Sequence, residues 1–186
     1  MEPVQDNDYY NMLAENVSSD KEAFVKLYNI FFDAVYNFVF YRLRDVDSVD
    51  DVVSEIFLKV YSHLNDFDRS KSSFRTWLFT ITNNAIIDHV RRYYRNRTVS
   101  WSNYFDTLSL DEESQPEISL IIDEEKKQLL AAIDELNETE QQVIQLKYWF
   151  EFSYKEISEI LNLTYANIRI IHFRAINKLK KYFEVV

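Results

Sequence analysis

A chain of 186 residues, 47% hydrophobic and 16% aromatic, has material for one or two small packed domains and is not a disordered polypeptide. It holds no glycine, two prolines and no cysteine, which excludes glycine-cradled phosphate loops, disulfides, thiolate metal sites and cysteine nucleophiles and disfavours β-hairpins. Its net charge of −10 is segregated: residues 69–97 carry seven bases against Asp88 alone and 162–183 five bases and no acid, while 106–125 carry eight acids and no base, a pattern that speaks to partners and not to fold.

An all-α fold is expected, and the elements follow in order. "SSDKEAFVKLYNIFFDAVYNFVFYRL" opens with Ser19 and Glu22 in capping-box relation and repeats apolar residues at Phe24, Leu27, Tyr28, Phe31, Val35, Phe38 and Val39, a long amphipathic helix. "DSVDDVVSEIFLKVYSHL" offers Asp47 as N-cap and an apolar stripe of Val49, Val52, Val53, Ile56, Phe57, Val60 and Leu64. After the polar turn "NDFDRSKSS", a third helix combines the stripe Trp77, Leu78, Ile81, Ile86 and Val90 with an increasingly basic end. Periodicity fades over 98–125 around Pro116, as in a charged linker. From near Gln128 four helices joined by very short turns follow, with capping boxes at Asn137/Glu140 and Ser153/Glu156, a break at Asn162 and a last helix capped by Thr164. The domains are thus expected at 1–97 and 126–186.

No apolar run approaches the roughly 20 residues that span a bilayer; the longest, "FFDAVYNFVFY", is interrupted by Asp33 and Asn37. No membrane insertion is expected, and without a basic and apolar leader the expected location is cytoplasmic. His63, His89 and His172 are scattered over three helices with no metal-ligand spacing or nucleophile partner, so no cofactor, metal or catalytic residue is expected and the chain is not read as an enzyme.

"DSVDDVVSEIFLKVY", "FDRSKSSFRTWLFTITNNAIIDHVRR" and "LNETEQQVIQLKYWFEFSYKEISEILNLTYANIRIIHFRA" resemble, in that order, regions 2.2, 2.3–2.4 and 4 of the extracytoplasmic-function (ECF) sigma factors of the sigma-70 family. The resemblance implies two helical domains, region 2 and region 4, and two partners, core RNA polymerase and promoter DNA, with an anti-sigma factor as a further one. It implies that Asp51, Val52, Ser54, Glu55 and Phe57 dock on the polymerase, although Ser54 stands where the family usually has Gln. By the same match Phe67 and Asn84 hold a flipped base of the minus-ten element, while Arg75, Arg91, Arg92 and Arg95 grip phosphates. Trp77, among apolar neighbours at helical spacing, reads as core.

In the last helix Thr164, Tyr165, Asn167, Arg169, Ile170 and Arg174 are the candidates for reading the minus-thirty-five element through the major groove. Asn162 replaces a common glycine at the turn, and Ile171 replaces a usual DNA contact. His172 falls where a core leucine is common and reads as a satisfied, half-buried histidine. The alternative function is a helix-turn-helix DNA-binding transcriptional regulator with a sensing or dimerising N-terminal domain. The basic, aromatic third helix and the acidic second helix argue against it.

Overall fold

The computed structural model describes residues 7–17, 20–43, 45–96 and 124–185. The chain divides into two compact units, Met1–Leu108 and Ser109–Val186. All regular elements among the described residues are helical. The acidic stretch 106–123, and with it most of the expected linker, lies outside the described residues.

The first unit holds α1 (Asn7–Asn16), α2 (Lys21–Leu43), α3 (Val46–His63), a short 3₁₀ turn (Leu64–Asp66) and α4 (Phe74–Asn96). Its core is where the apolar stripes of the three longer helices meet: Leu27, Phe31, Val35 and Phe38 of α2, Val49, Val53 and Ile56 of α3, and Phe74, Leu78, Phe79 and Ile86 of α4 are all buried. Aromatic edges lock the helices at this seam, with Phe38 against Phe79 at 5.5 Å between centroids.

Helix α1 was not expected. It closes the bundle by inserting Tyr10 edge-on against Phe31 at 4.9 Å, and by carrying the buried side chain of Asn11 to the start of α4. There the Asn11 Oδ1 accepts the Phe74 backbone N–H at 2.7 Å. Ser73 precedes α4 and its Oγ accepts the Thr76 N–H at 3.2 Å, so two of the first amides of α4 are satisfied from two different parts of the chain.

Two expected caps move by one or two residues. Asp20 caps α2, its Oδ1 accepting the Glu22 N–H at 2.9 Å, whereas Ser19 lies outside the described residues. Asp45 stands at the N-cap of α3 and its carboxylate accepts from the Ser48 hydroxyl, while Asp47 falls inside the helix. In each case the aspartate nearer the helix start takes the position.

The second unit holds α5 (Glu124–Asp134), α6 (Glu138–Ile144), a π-helical turn (Gln145–Trp149), α7 (Tyr154–Leu161) and α8 (Tyr165–Val185). Helix α5 begins earlier than the expected start near Gln128. Both expected capping boxes are present: the Glu140 N–H donates to Asn137 Oδ1 at 3.0 Å, and the Glu156 N–H to Ser153 Oγ at 3.3 Å, each answered by the glutamate. Leu136, Ile144 and Ala175 form one buried cluster, with Ile176 and Leu179 packed against it.

The chain has no glycine, and among the described residues Glu151, which turns the chain out of the π-helical segment, and Asn162, which ends α7 at φ 52° and ψ 45°, take the left-handed backbone conformation. Asparagine tolerates this region better than most residues. Its N–H and that of Leu163 return to the carbonyls of Glu159 and Ser158, so the α7–α8 turn closes as a glycine would close it.

Candidate nucleic-acid interface

Helix α3 presents two faces. Val49, Val52, Val53, Ile56, Phe57 and Val60 face the core, and the opposite side carries Asp51, Ser54 and, half-buried, Glu55. Val52 and Phe57, expected among the polymerase-docking residues, are only 1% and 6% exposed. Phe57 packs on Tyr28 and Phe32 of α2 at 4.6 and 6.2 Å, so these two side chains hold the helix from behind and do not form its outer surface. Sequence reasoning missed two residues of that surface: Leu58, 71% exposed, and Tyr61, 54% exposed, which share the face of Asp51 and Ser54 by helical spacing. The available signal was a pair of apolar residues falling outside the core stripe.

Glu55 links α3 to α4. It pairs with Lys59 at 2.8 Å and with Arg92 at 2.6 Å. Partial burial pushes its carboxyl up, and the hydrogen bonds and charges of Lys59 and Arg92 outweigh that and hold it below the usual glutamate range. An expected docking acid and an expected phosphate contact are therefore partners. Arg91 is exposed beside Asp88 at 4.0 Å, and Arg75 is half-buried. The side chain of Arg95 lies outside those described.

Phe67 and Asn84 come to adjacent parts of one surface. A recess of about 320 Å³ is lined by Lys59, His63, Asp66, Trp77, Ile81 and Asn84. Phe67 sits next to it, half-buried, with its ring on Trp77 and Phe74, each at 5.7 Å. Trp77 is thus neither pure core nor free platform: it joins the aromatic cluster and lines the recess. The loop beside it is held in shape by Asp68, which accepts from the Ser70 N–H at 2.9 Å and the Ser70 hydroxyl at 2.6 Å and pairs with Lys71 at 3.1 Å. Those hydrogen bonds, Ser70 first, hold the Asp68 carboxyl below its ordinary value. Such a recess, with a flat indole, an amide, the Lys59 ammonium and the Asp66 carboxylate on its walls, suits a planar, hydrogen-bonding group.

In the second unit, Thr164, Tyr165, Asn167, Arg169, Ile170 and Arg174 are all exposed, because Ile168 and Ala175 turn the opposite side of α8 into the core. Thr164 also serves as cap, its Oγ1 accepting the Asn167 N–H at 3.2 Å. Phe173, 66% exposed beside Arg174, belongs to the same face and was missed. His172 is half-buried, and both ring nitrogens are engaged: Nε2 lies 3.0 Å from the Tyr148 hydroxyl and Nδ1 3.2 Å from that of Tyr154.

Burial lowers the pKa of His172, with Lys147 adding to the effect, and burial likewise lowers that of His89 in α4, with Arg92 adding to it. An unfolded histidine takes up its proton near pH 6.5, whereas these two do so only at lower pH when folded. Stability is then full above about pH 6.5 and falls as pH drops below it. Denaturant midpoints of both units should decline as pH falls from about 6.5 to 5.5, and His89→Gln should flatten the decline in the first unit alone; a decline of wild-type size in that variant would acquit His89.

Among the described residues no group of His, Cys, Asp and Glu is arranged to hold a metal ion, and no helix is long and apolar enough to cross a membrane. Residues 27–96 match the family model of Sigma-70 region 2, and residues 126–179 that of Sigma-70, region 4. The ECF RNA polymerase sigma factor SigM of Bacillus subtilis (strain 168) is 30% identical over 158 residues, which cover 85% of this chain and 93% of SigM. SigW of the same organism, also an ECF RNA polymerase sigma factor, is 29% identical over 168 residues, covering 87% and 89%. Among solved structures, the sigma factor RpoE bound to the anti-sigma factor NepR from Bartonella quintana shares the fold, with a TM-score of 0.67 at 21% identity over 87% of this chain and 97% of RpoE.

Proposed function

The chain belongs to the ECF sigma factors of the sigma-70 family, and from that premise we propose how its two units divide the work of directing promoter-specific transcription by RNA polymerase. The role is regulatory and the chemistry is the polymerase's, exercised in the cytoplasm. A stand-alone helix-turn-helix regulator is not favoured, because the N-terminal unit matches Sigma-70 region 2. Asp51, Ser54 and Glu55 dock on core polymerase, with Leu58 and Tyr61 extending the contact and Val52 and Phe57 supporting it from the core. An anti-sigma factor is a further partner of the family's kind, as NepR is of RpoE.

Helix α4 and the loop before it open the minus-ten element. The observation that carries this is the recess lined by Trp77 and Asn84 beside Phe67: an unstacked base finds a π-face and an amide there, and Arg75, Arg91, Arg92 and Arg95 attend its backbone. Helix α8 reads the minus-thirty-five element as duplex, with Arg169 and Arg174 on bases or phosphates and Tyr165, Ile170 and Phe173 placed to meet thymine methyls.

Asn84→Ala should impair open-complex formation on duplex promoters and be largely rescued on a template mismatched across the minus-ten region. Pre-melting supplies the few kcal/mol of unstacking that the base contact otherwise helps offset. Equal loss on the two templates would remove Asn84 from the melting role.

A further inference from the structure

The DNA-facing surface of α8 is braced from behind by a run of rings. His172 sits between the hydroxyls of Tyr148, in the π-helical turn, and Tyr154, at the start of α7. Its ring stacks on Tyr148 at 5.7 Å and meets Tyr154 edge-on at 5.3 Å. The Tyr154 ring, with the Lys147 ammonium 5.1 Å from its centroid, touches the edge of Tyr165 at 6.3 Å. Tyr165 in turn carries the Arg169 guanidinium over its face at 6.0 Å. Three segments of the second unit are thereby connected to one exposed arginine.

We infer that His172 is a positioning residue for promoter reading: through Tyr154 it fixes the Tyr165 ring, and on that ring the Arg169 side chain, before DNA arrives. The inference rests on the major-groove reading of α8. An exposed arginine otherwise spends rotamer entropy when it settles on a base edge, and one already held spends less. Histidine suits the task because its two nitrogens lie on different edges of the ring. In the neutral form one nitrogen donates and the other accepts, so two hydroxyls on different elements can be tied to one side chain. A leucine in the same half-buried place would fill space without fixing either tyrosine. The π-helical turn is the local irregularity that brings Lys147 and Tyr148 to this spot.

Two variants of the full-length chain test the brace: His172→Leu, which keeps the bulk and loses both hydrogen bonds, and Tyr154→Phe, which keeps the ring and loses one. The first measurement is the heteronuclear NOE of the Arg169 side-chain Nε in the free protein. The second is discrimination by holoenzyme between a minus-thirty-five duplex selected with wild type and a scrambled one. Both variants should keep wild-type backbone order in α8, lower the Arg169 value and lose about fivefold in discrimination, the size of the ordering cost of one long side chain.

An unchanged Arg169 value overturns the inference whatever the DNA result, and so does a lowered value with discrimination retained. Should His172→Leu fail to fold, Tyr154→Phe decides by the same two measurements. A wild-type holoenzyme with no preference among duplexes would instead overturn the major-groove reading, and the Arg169 value in the free chain would then decide the brace alone.

Discussion

Glu140→Ala should melt the second unit well before wild type, by more than any exposed substitution in this chain. Glu140 is 4% exposed, yet its Oε2 accepts the Asn137 N–H at 3.0 Å and meets the Lys178 ammonium at 2.7 Å. One carboxylate thus closes the cap of α6 and ties α6 to α8. The Asn137 side chain still accepts the backbone N–H of residue 140, so only the reciprocal half of the capping box is lost, roughly 0.5 kcal/mol, and the charged hydrogen bond to Lys178 contributes about 1.5 kcal/mol. Lys178 is half exposed and returns to water, so no charge is stranded and the total is about 2 kcal/mol. For a unit of this size that corresponds to a fall of roughly 10 °C. Hydrogen exchange followed by peptide should show the loss confined to the second unit. Glu140→Gln should fall between the two, since an amide can still accept at the cap. Wild-type protection in Glu140→Ala would mean that the pair with Lys178 contributes nothing.

The second large effect is one of binding. Asp51→Lys should weaken association with core polymerase on the order of 100-fold, because a like charge placed in an interface costs several kcal/mol. Thermal unfolding should stay within about 0.5 kcal/mol of wild type, since Asp51 is exposed and makes no ion pair among the described residues. Glu55→Lys is the less clean variant. It would gather three cations where Glu55 now pairs with Lys59 and Arg92, and folding and binding would change together. Co-purification of Asp51→Lys with core at wild-type stoichiometry would move the docking surface elsewhere.

The long helices were legible because their apolar period is sustained over many turns, and the capping boxes at Asn137 and Ser153 because both members are in the sequence. What escaped was set by distant contacts. Helix α1 carries Asn11 in its buried face, and a polar residue there spoils the pattern; only the amide of Phe74, 63 residues on, explains it. The π-helical turn is invisible to a 3.6-residue period because "QLKYW" suits either helix. In the site, the candidates on α8 come from the resemblance, and the structure exposes them because Ile168 and Ala175 take the core side; Phe173 escapes such a reading because a large apolar side chain is ordinarily assigned to a core. Its place in the pattern marks His172 as a satisfied, half-buried side chain. That it bridges two tyrosines on two elements depends on a chain reversal that sequence spacing cannot measure.

The Asn11–Phe74 hydrogen bond has a consequence for the order of synthesis. The first helix leaves the ribosome early, but the amide it must cover is translated much later. Until α4 has emerged, the side of α1 bearing Tyr10, Asn11 and Leu13 has no complete seat. The first unit is therefore sealed from its two ends, as a clasp closes: α1, already seated on α2 through Tyr10 and Phe31, is completed only when α4 brings the Phe74 amide to Asn11.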